Sequence, residues 1–272
     1  MMSFRKRTYD ILKLMEEKRI ITLRKDKEVY VIGDRCYKVF ESAKDKADVL
    51  NEALNQARVE ETGLSIPSLL EVGIVDGCWA IVTRFIEGKT LEEMLNEEPE
   101  KEDEYLKRFV DLQIEMQSKR CPLLNKHRDK MNRKVSETDL SATLRYDLHN
   151  RIERMPRHNC LCHGDFNPSN VIIDKENRAY IIDWSHATQG NAEADAARTY
   201  MMFQIEGNRK RARRYLDLFA KESGCEIKDI LAWLPILAAS QSVKGIKKQN
   251  EFLRNLIFMN RKQLEDLYDE EC

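Results

Sequence analysis

The sequence predicts an α+β protein with a β-rich N-terminal part and a helical C-terminal part. Before residue 90, short β-branched runs alternate with turn signals. After residue 102, apolar residues recur at helical spacing almost without a break. That helical region is interrupted once, over residues 161–184 (LCHGDFNPSNVIIDKENRAYIIDW). There Val171-Ile172-Ile173 and Tyr180-Ile181-Ile182 flank the polar segment 174–178, the pattern of a two-stranded hairpin.

In chain order, residues 9–18 carry Ile11, Leu12 and Met15 at helical spacing. Residues 20–23, 29–32 and 36–40 are strand-like, with Gly33-Asp34 a tight turn between the last two. Lys38 lies inside the third run. Such a lysine is either an edge-strand charge or an ammonium that holds nucleotide phosphates. Leu50, Ala53, Leu54 and Ala57 then form an apolar stripe on a helix that also carries Glu52, fourteen residues after Lys38. Residues 69–72 and 79–83 form a further hairpin, turning at Asp76-Gly77. Thr90 and Glu93 have the spacing of a capping box for the next helix.

Beyond it, Tyr105, Phe109, Leu112 and Met116 make one core stripe, and Leu140, Leu144, Leu148 and Ile152 another. Ser136 with Asp139 is the expected capping start of the second. Ala194, Ala197, Met201 and Ile205 continue the pattern, Gly224 is a helix terminator, and residues 230–237 and 252–267 complete a helical core. Residues 209–214 (RKRARR) read as a solvated helix face, and 269–272 as a frayed acidic tail.

Composition narrows the function. The chain has 272 residues, 46 Lys+Arg against 47 Asp+Glu, and a net charge of -1, so nothing global points to nucleic acid or a membrane surface. With 10 glycines and 6 prolines there is no long flexible linker. No apolar run has signal-peptide or membrane-spanning length, so a cytoplasmic protein is expected. Seven scattered cysteines fit reduced thiols, and Cys160-x-Cys162 has no second pair with which to complete a zinc site.

The chemistry concentrates around the hairpin. Asp165 is followed by Asn170 five residues later and by Asp183 eighteen residues later. Two carboxylates and an amide offer only oxygen donors, which suits Mg²⁺, and one carboxylate is left to accept a proton. These spacings resemble the catalytic loop of protein-kinase-like enzymes. The His-Gly-Asp form, with Ile-Asp-Trp after the hairpin, closely resembles the aminoglycoside phosphotransferase and choline kinase family. The resemblance runs over about residues 29–203 and is sharpest over 162–200.

That resemblance implies a bilobal protein-kinase-like fold with a small β-rich lobe (1–87) that binds nucleotide. The large α-helical lobe (88–272) would carry catalysis and the acceptor site. It implies ATP-dependent phosphorylation of a small-molecule hydroxyl, with ATP and Mg²⁺ required. Asp165 is the expected base, and Asn170 and Asp183 are the expected metal ligands. Lys38 is expected on the α/β-phosphates, held by Glu52. The glutamate stands fifteen residues before Pro67, with Gly63 four before that proline, and Glu60 is the fallback. The Arg84 carbonyl and Ile86 amide in 84–88 (RFIEG) match the hinge that reads adenine. His163 is expected to structure the loop. Asp195, in Ala-Asp-Ala-Ala-Arg-Thr-Tyr, matches the Asp-x-Ala-Arg brace without its usual preceding proline.

One departure stands out. Residues 23–28 hold no glycine where kinases cover the phosphates, and Lys25 and Lys27 are the candidate substitutes. A protein Ser/Thr kinase is disfavoured by the lack of an Ala-Pro-Glu segment and by only eleven residues between Asp183 and Asp195. The unusual 23–28 loop keeps open a catalytically silent nucleotide-binding scaffold. The acceptor is not legible: a cationic one calls for acidic residues near Asp165, a sugar or nucleoside for amides and aromatics.

Overall fold

In the computed structural model, the structure describes residues 18–23 and 26–270. The expected helix over 9–18, Lys25 and the last two residues of the tail lie outside them, apart from Lys18 itself. The chain divides into two compact units, one formed up to residue 89 together with 172–185, the other by 90–171 and 186–272.

The first unit is built on a five-stranded antiparallel sheet of β1 (Arg19–Leu23), β2 (Lys27–Ile32), β3 (Arg35–Phe40), β4 (Leu69–Val75) and β5 (Cys78–Arg84). Its order is β1-β2-β3-β5-β4, so β3 is central rather than an edge strand. The β4–β5 turn has φ of 50° at Asp76 and 82° at Gly77, the left-handed pair of a two-residue hairpin. Lys38 pairs in register with Val29 on one side and Ile81 on the other. A lysine there is not an edge charge; its side chain must find a polar partner above the sheet.

The helix Lys46–Glu60, capped by the Asp45 carboxylate accepting from the Ala47 amide (2.7 Å), packs on this sheet. Val49 and Ala53 are buried with Phe40 and Ile81, and Trp79 and Val72 pack around them. This corrects the expected apolar stripe: Leu50 and Leu54 are 42% and 46% exposed, and the buried face runs one position earlier. Polar Gln56 joins that buried face because its amide donates to the Pro67 carbonyl.

A small sheet of β6 (Gly88–Thr90), β8 (Val171–Asp174) and β9 (Ala179–Ile181) follows the predicted hairpin. A Cβ at position 88 would lie 2.2 Å from the Ile173 carbonyl oxygen, so only glycine fits.

The second unit is helical. Leu91–Glu97 begins with the full Thr90–Glu93 capping box, worth about 1 kcal/mol. Glu102–Ser118, Ala192–Ile205 and Arg209–Ser223 enclose an aromatic core, in which Phe109 stacks on Phe166 (4.4 Å) and meets Phe203 and Tyr215 edgewise or tilted. Gly224 ends Arg209–Ser223 in the left-handed conformation (φ 73°).

Two further expectations are corrected here. Ser136 is the last residue of the helix His127–Ser136, and the cap of Ala142–Arg154 is Ser141, whose hydroxyl accepts from the Leu144 amide at 3.3 Å. The 209–214 run is not simply solvated. Arg211 is half-buried against Glu102 (2.8 Å) and Glu92 (3.5 Å), Arg213 pairs with Asp217, and Arg214 with Asp103. Three of its five cations are thus paired within their own unit, while Arg209 and Lys210 are exposed, as expected of a solvated face.

Cys162 is buried in β7 (Cys160–Cys162), which pairs with β10 (Thr188–Gly190). Among the described residues, no helix is long and apolar enough to cross a membrane.

Candidate active site

In the first unit, four charged side chains meet. The Lys38 ammonium donates to Glu52 and, at 3.2 Å, to Asp183. Lys27 reaches the other Asp183 oxygen at 3.5 Å. All four side chains are no more than 27% exposed.

Burial alone would raise the Asp183 carboxyl, but the two ammonium groups outweigh it and hold the acid well below the usual carboxylate range. Burial likewise disfavours a charged Lys38, yet Asp183 and Glu52 leave its pKa raised. Lys27 is shifted downward, first by burial and then by Lys38. Asp183 is therefore anionic at any physiological pH.

The backbone at Asp183 is left-handed (φ 63°), uncommon for a residue other than glycine. Its sequel is held from the Lys46–Glu60 helix: Asn55, one turn after Glu52, donates to the Trp184 and Ser185 carbonyls (3.4 and 3.5 Å). Thus one helix supports both the partner of Lys38 and the segment after Asp183. The fallback Glu60 is occupied elsewhere, accepting from the Leu69 amide.

Arg84 and Ile86 follow β5. The amides of Arg84 and Phe85 donate to the carbonyls of Ser68 and Asp34 (both 2.8 Å), whereas the Ile86 amide has no hydrogen bond among the described residues.

In the second unit, the loop 163–167 leads into a single 3₁₀ turn, Pro168–Asn170. Gly164 is left-handed (φ 78°), and a Cβ there would lie 2.6 Å from the His186 carbonyl oxygen. The buried Asp195 carboxylate accepts from the amides of Gly164 (2.7 Å) and His163 (3.3 Å), so a charge-assisted pair of bonds fixes the loop. His163 accepts the Asp165 amide on Nδ1 at 3.2 Å and is fully buried.

The Asp165 carbonyl receives the side-chain amides of Asn167 (3.0 Å) and Asn170 (2.9 Å). With Nδ2 so engaged, Asn170 keeps its Oδ1 as an oxygen donor. The Asp165 carboxylate itself stays one-third exposed, with the Arg198 guanidinium 3.7 Å away.

Among the described residues, no three His, Cys, Asp or Glu side chains gather as a complete metal site. The ionised Asp183 carboxylate in the first unit and the Asn170 amide oxygen in the second are each, taken alone, hard oxygen donors of the kind Mg²⁺ accepts beside phosphate and water.

Asn55 carries interactions that the motif spacings do not single out, and Arg198, the arginine of the Asp-x-Ala-Arg match, has a contact with Asp165 that the match did not assign. Lys27, one of the two candidate substitutes for the missing glycines, is set beside Lys38 by the β2–β3 register: with Val29 opposite Lys38, residue 27 lies on the same face, one diagonal step away.

A family model described as the phosphotransferase enzyme family matches residues 24–227. Among solved structures, the chain is similar to aminoglycoside phosphotransferase APH(4)-Ia, at 15% identity over 95% of this chain and 96% of that one, with a TM-score of 0.67. A thermostable mutant of that protein, solved as a ternary complex with AMP-PNP and hygromycin B, matches at 16% identity over 94% and 97%, with a TM-score of 0.66. A choline/ethanolamine kinase family protein from Mesorhizobium loti matches at 15% identity over 92% and 85%, with a TM-score of 0.57. No curated protein matches the sequence.

Proposed function

Since the chain belongs to the phosphotransferase enzyme family, we propose that it transfers the γ-phosphoryl group of ATP to a hydroxyl of a small molecule. The observation that carries this reading is the Asp183 carboxylate, kept ionised by two lysines, one of them fixed by Glu52. A half-buried ion cluster of this kind is a poor way to gain stability but a good way to aim cations at phosphate oxygens.

In this reading Lys38 neutralises the α/β-phosphates, and Lys27 supplies a second positive charge where the glycine-free 23–28 loop offers no close backbone amides. The Arg84 carbonyl and the Ile86 amide read the adenine edge, the latter with a donor that no group among the described residues uses. Asp183 and Asn170 would hold Mg²⁺, which when bound would supply charge neutralisation on the phosphates.

Asp165 orients the acceptor hydroxyl and takes its proton. The acceptor oxygen forms its bond to the γ-phosphorus while the bond to the ADP oxygen breaks, and the hydroxyl proton passes to a carboxylate oxygen of Asp165. Asp195 acts through the loop: its bonds to the His163 and Gly164 amides set the position from which Asp165 works. His163, whose Nδ1 accepts the Asp165 amide, positions the same loop and moves no proton.

The test is Asp165→Asn. The amide keeps the shape and loses basicity, so Mg²⁺-dependent ATP turnover, on acceptor or on water, should fall about 10²- to 10⁴-fold with MgATP affinity retained. Turnover equal to the wild type would remove Asp165 as the base. A wild-type protein that binds MgATP but never turns it over would be the silent scaffold.

A further inference from the structure

The second unit holds a cavity of about 250 Å³ whose wall includes Gly164, the residue before Asp165. Its charged lining is mostly positive: Lys130, Lys134, Lys244 and Arg198 face it, against the single carboxylate of Asp195. That carboxylate is turned to the loop amides of His163 and Gly164 and is spent there.

The cations differ in how far they are compensated. Lys134 pairs with Glu137 (2.6 Å), and Arg198 divides itself between Gln241 (2.9 Å) and Asp165 (3.7 Å). Among the described residues Lys130 has only the His186 carbonyl, at 3.1 Å, and neither it nor Lys244 forms an ion pair. Burial and the neighbouring Arg198 and Lys244 push Lys130 down to about 8. His127 and His186, both held near 3, add ring nitrogens but no charge.

A half-buried ammonium without a carboxylate is costly to keep, and an arriving anion would relieve that cost. A cation entering the same cavity would meet several like charges and gain no carboxylate that is not already engaged.

We propose that the phosphoryl acceptor is itself an anion: a small hydroxyl compound bearing a phosphate or carboxylate, seated against Lys130 and Lys244 with a hydroxyl presented to Asp165. This rests on the phosphotransfer reading above and gives its acceptor a chemical class. The volume agrees, since it lies below the roughly 300 Å³ at which pockets for drug-sized ligands begin. A multi-ring polyamine sugar is disfavoured by charge and by size together.

A charge-matched set tests the proposal on the full chain with ATP and Mg²⁺: glucose, glucosamine, gluconate and glucose 6-phosphate. The expected result is a kcat/KM for an anionic member at least about tenfold above that for glucosamine, about the value of one good charge contact. Whether glucose 6-phosphate or gluconate leads identifies phosphate or carboxylate as the recognised group. The variants Lys130→Gln, Lys244→Gln and their combination should erase that preference mainly through KM. The Lys244 change, at an exposed residue, serves if the buried site tolerates substitution badly.

Direct calorimetric binding of glucose 6-phosphate and glucosamine separates the two readings. If none of the four is phosphorylated, tighter binding of glucose 6-phosphate that weakens about tenfold in the double variant still supports the anionic site. Equal binding of the two, or a preference for glucosamine, overturns it. Anion binding intact in a protein that never turns over ATP would overturn phosphotransfer and leave the anion site standing.

Discussion

Asp183→Asn separates the two jobs assigned to one carboxylate, because its effects on free ATP and on MgATP have opposite signs. Asparagine tolerates the left-handed backbone at this position (φ 63°) at least as well as aspartate, so the main change is electrostatic. In the wild type the carboxylate lies 3.2 Å from Lys38 and 3.5 Å from Lys27. A phosphate oxygen bonded to Lys38 then stands within about 6 Å of Asp183, given a hydrogen bond of about 2.8 Å. Two unit charges at about 6 Å and an effective dielectric of about 20 repel by roughly 3 kcal/mol. Salt and the partial exposure of the cluster reduce this to about 1.4 kcal/mol, a factor of about ten.

Without Mg²⁺, the variant should therefore bind ATP about tenfold more tightly than the wild type, because two lysines face the phosphates and their shared counter-charge is gone. With Mg²⁺ it should bind at least about tenfold more weakly, because the charged metal ligand is gone. Isothermal titration with ATP, in EDTA and in excess Mg²⁺, reads both. If both affinities move in the same direction, or neither moves, Asp183 is not the residue that exchanges lysine for metal.

Much of the first unit was legible because its signals are local. The Asp76-Gly77 turn and the strand runs each follow from a few adjacent residues, as does the capping box at Thr90 that opens the second unit, and the structure forms all of them. The Lys38–Glu52 contact was legible for a different reason, a long-range register set by Pro67 and Gly63 in a motif already suggested by residues 161–184.

The misreadings share a cause: a face was assigned where periodicity allows neighbouring answers. Leu50 and Leu54 are apolar at helical spacing, but the turn of the Lys46–Glu60 helix is fixed by Ala53 on Ile81 and by Glu52 reaching Lys38, so both leucines stay exposed. Ser136 is the expected cap from its spacing to Asp139 alone, but the helix His127–Ser136 absorbs it and Ser141 caps the next helix. Lys27 is one of two candidate lysines in a glycine-free loop, and its place on the face of Lys38 follows from sheet pairing rather than from spacing. The cationic cavity lay beyond reading altogether, since Lys130, Arg198 and Lys244 come from separate helical segments and its charge depends on which carboxylates are already engaged.

Two further outcomes follow from the same contacts. Lys38→Ala and Glu52→Ala should each lower kcat/KM by about 10²-fold, and the double variant should lose little more than either alone, since a lysine and its holder act as one unit. Losses that add would show that Glu52 does not hold Lys38 for the reaction. The second outcome concerns pH and Lys130. Its pKa is lowered to about 8, so the ammonium is intact below that value and is lost as pH rises through it. Arg198 and Asp195 face it from the Ala192–Ile205 helix, Lys244 from just past the Leu234–Ser242 helix, and Arg133 from its own helix. Lys244 shares the downward shift. Bound anion favours the charged form, so KM for the best anionic acceptor should be flat below about pH 8 and climb above it, by up to about tenfold per pH unit. KM for glucose should lack that rise, and so should the anion's KM in Lys130→Gln. A rise of equal size for neutral and anionic acceptors would place the titrating group outside the cavity and refute the assignment of Lys130.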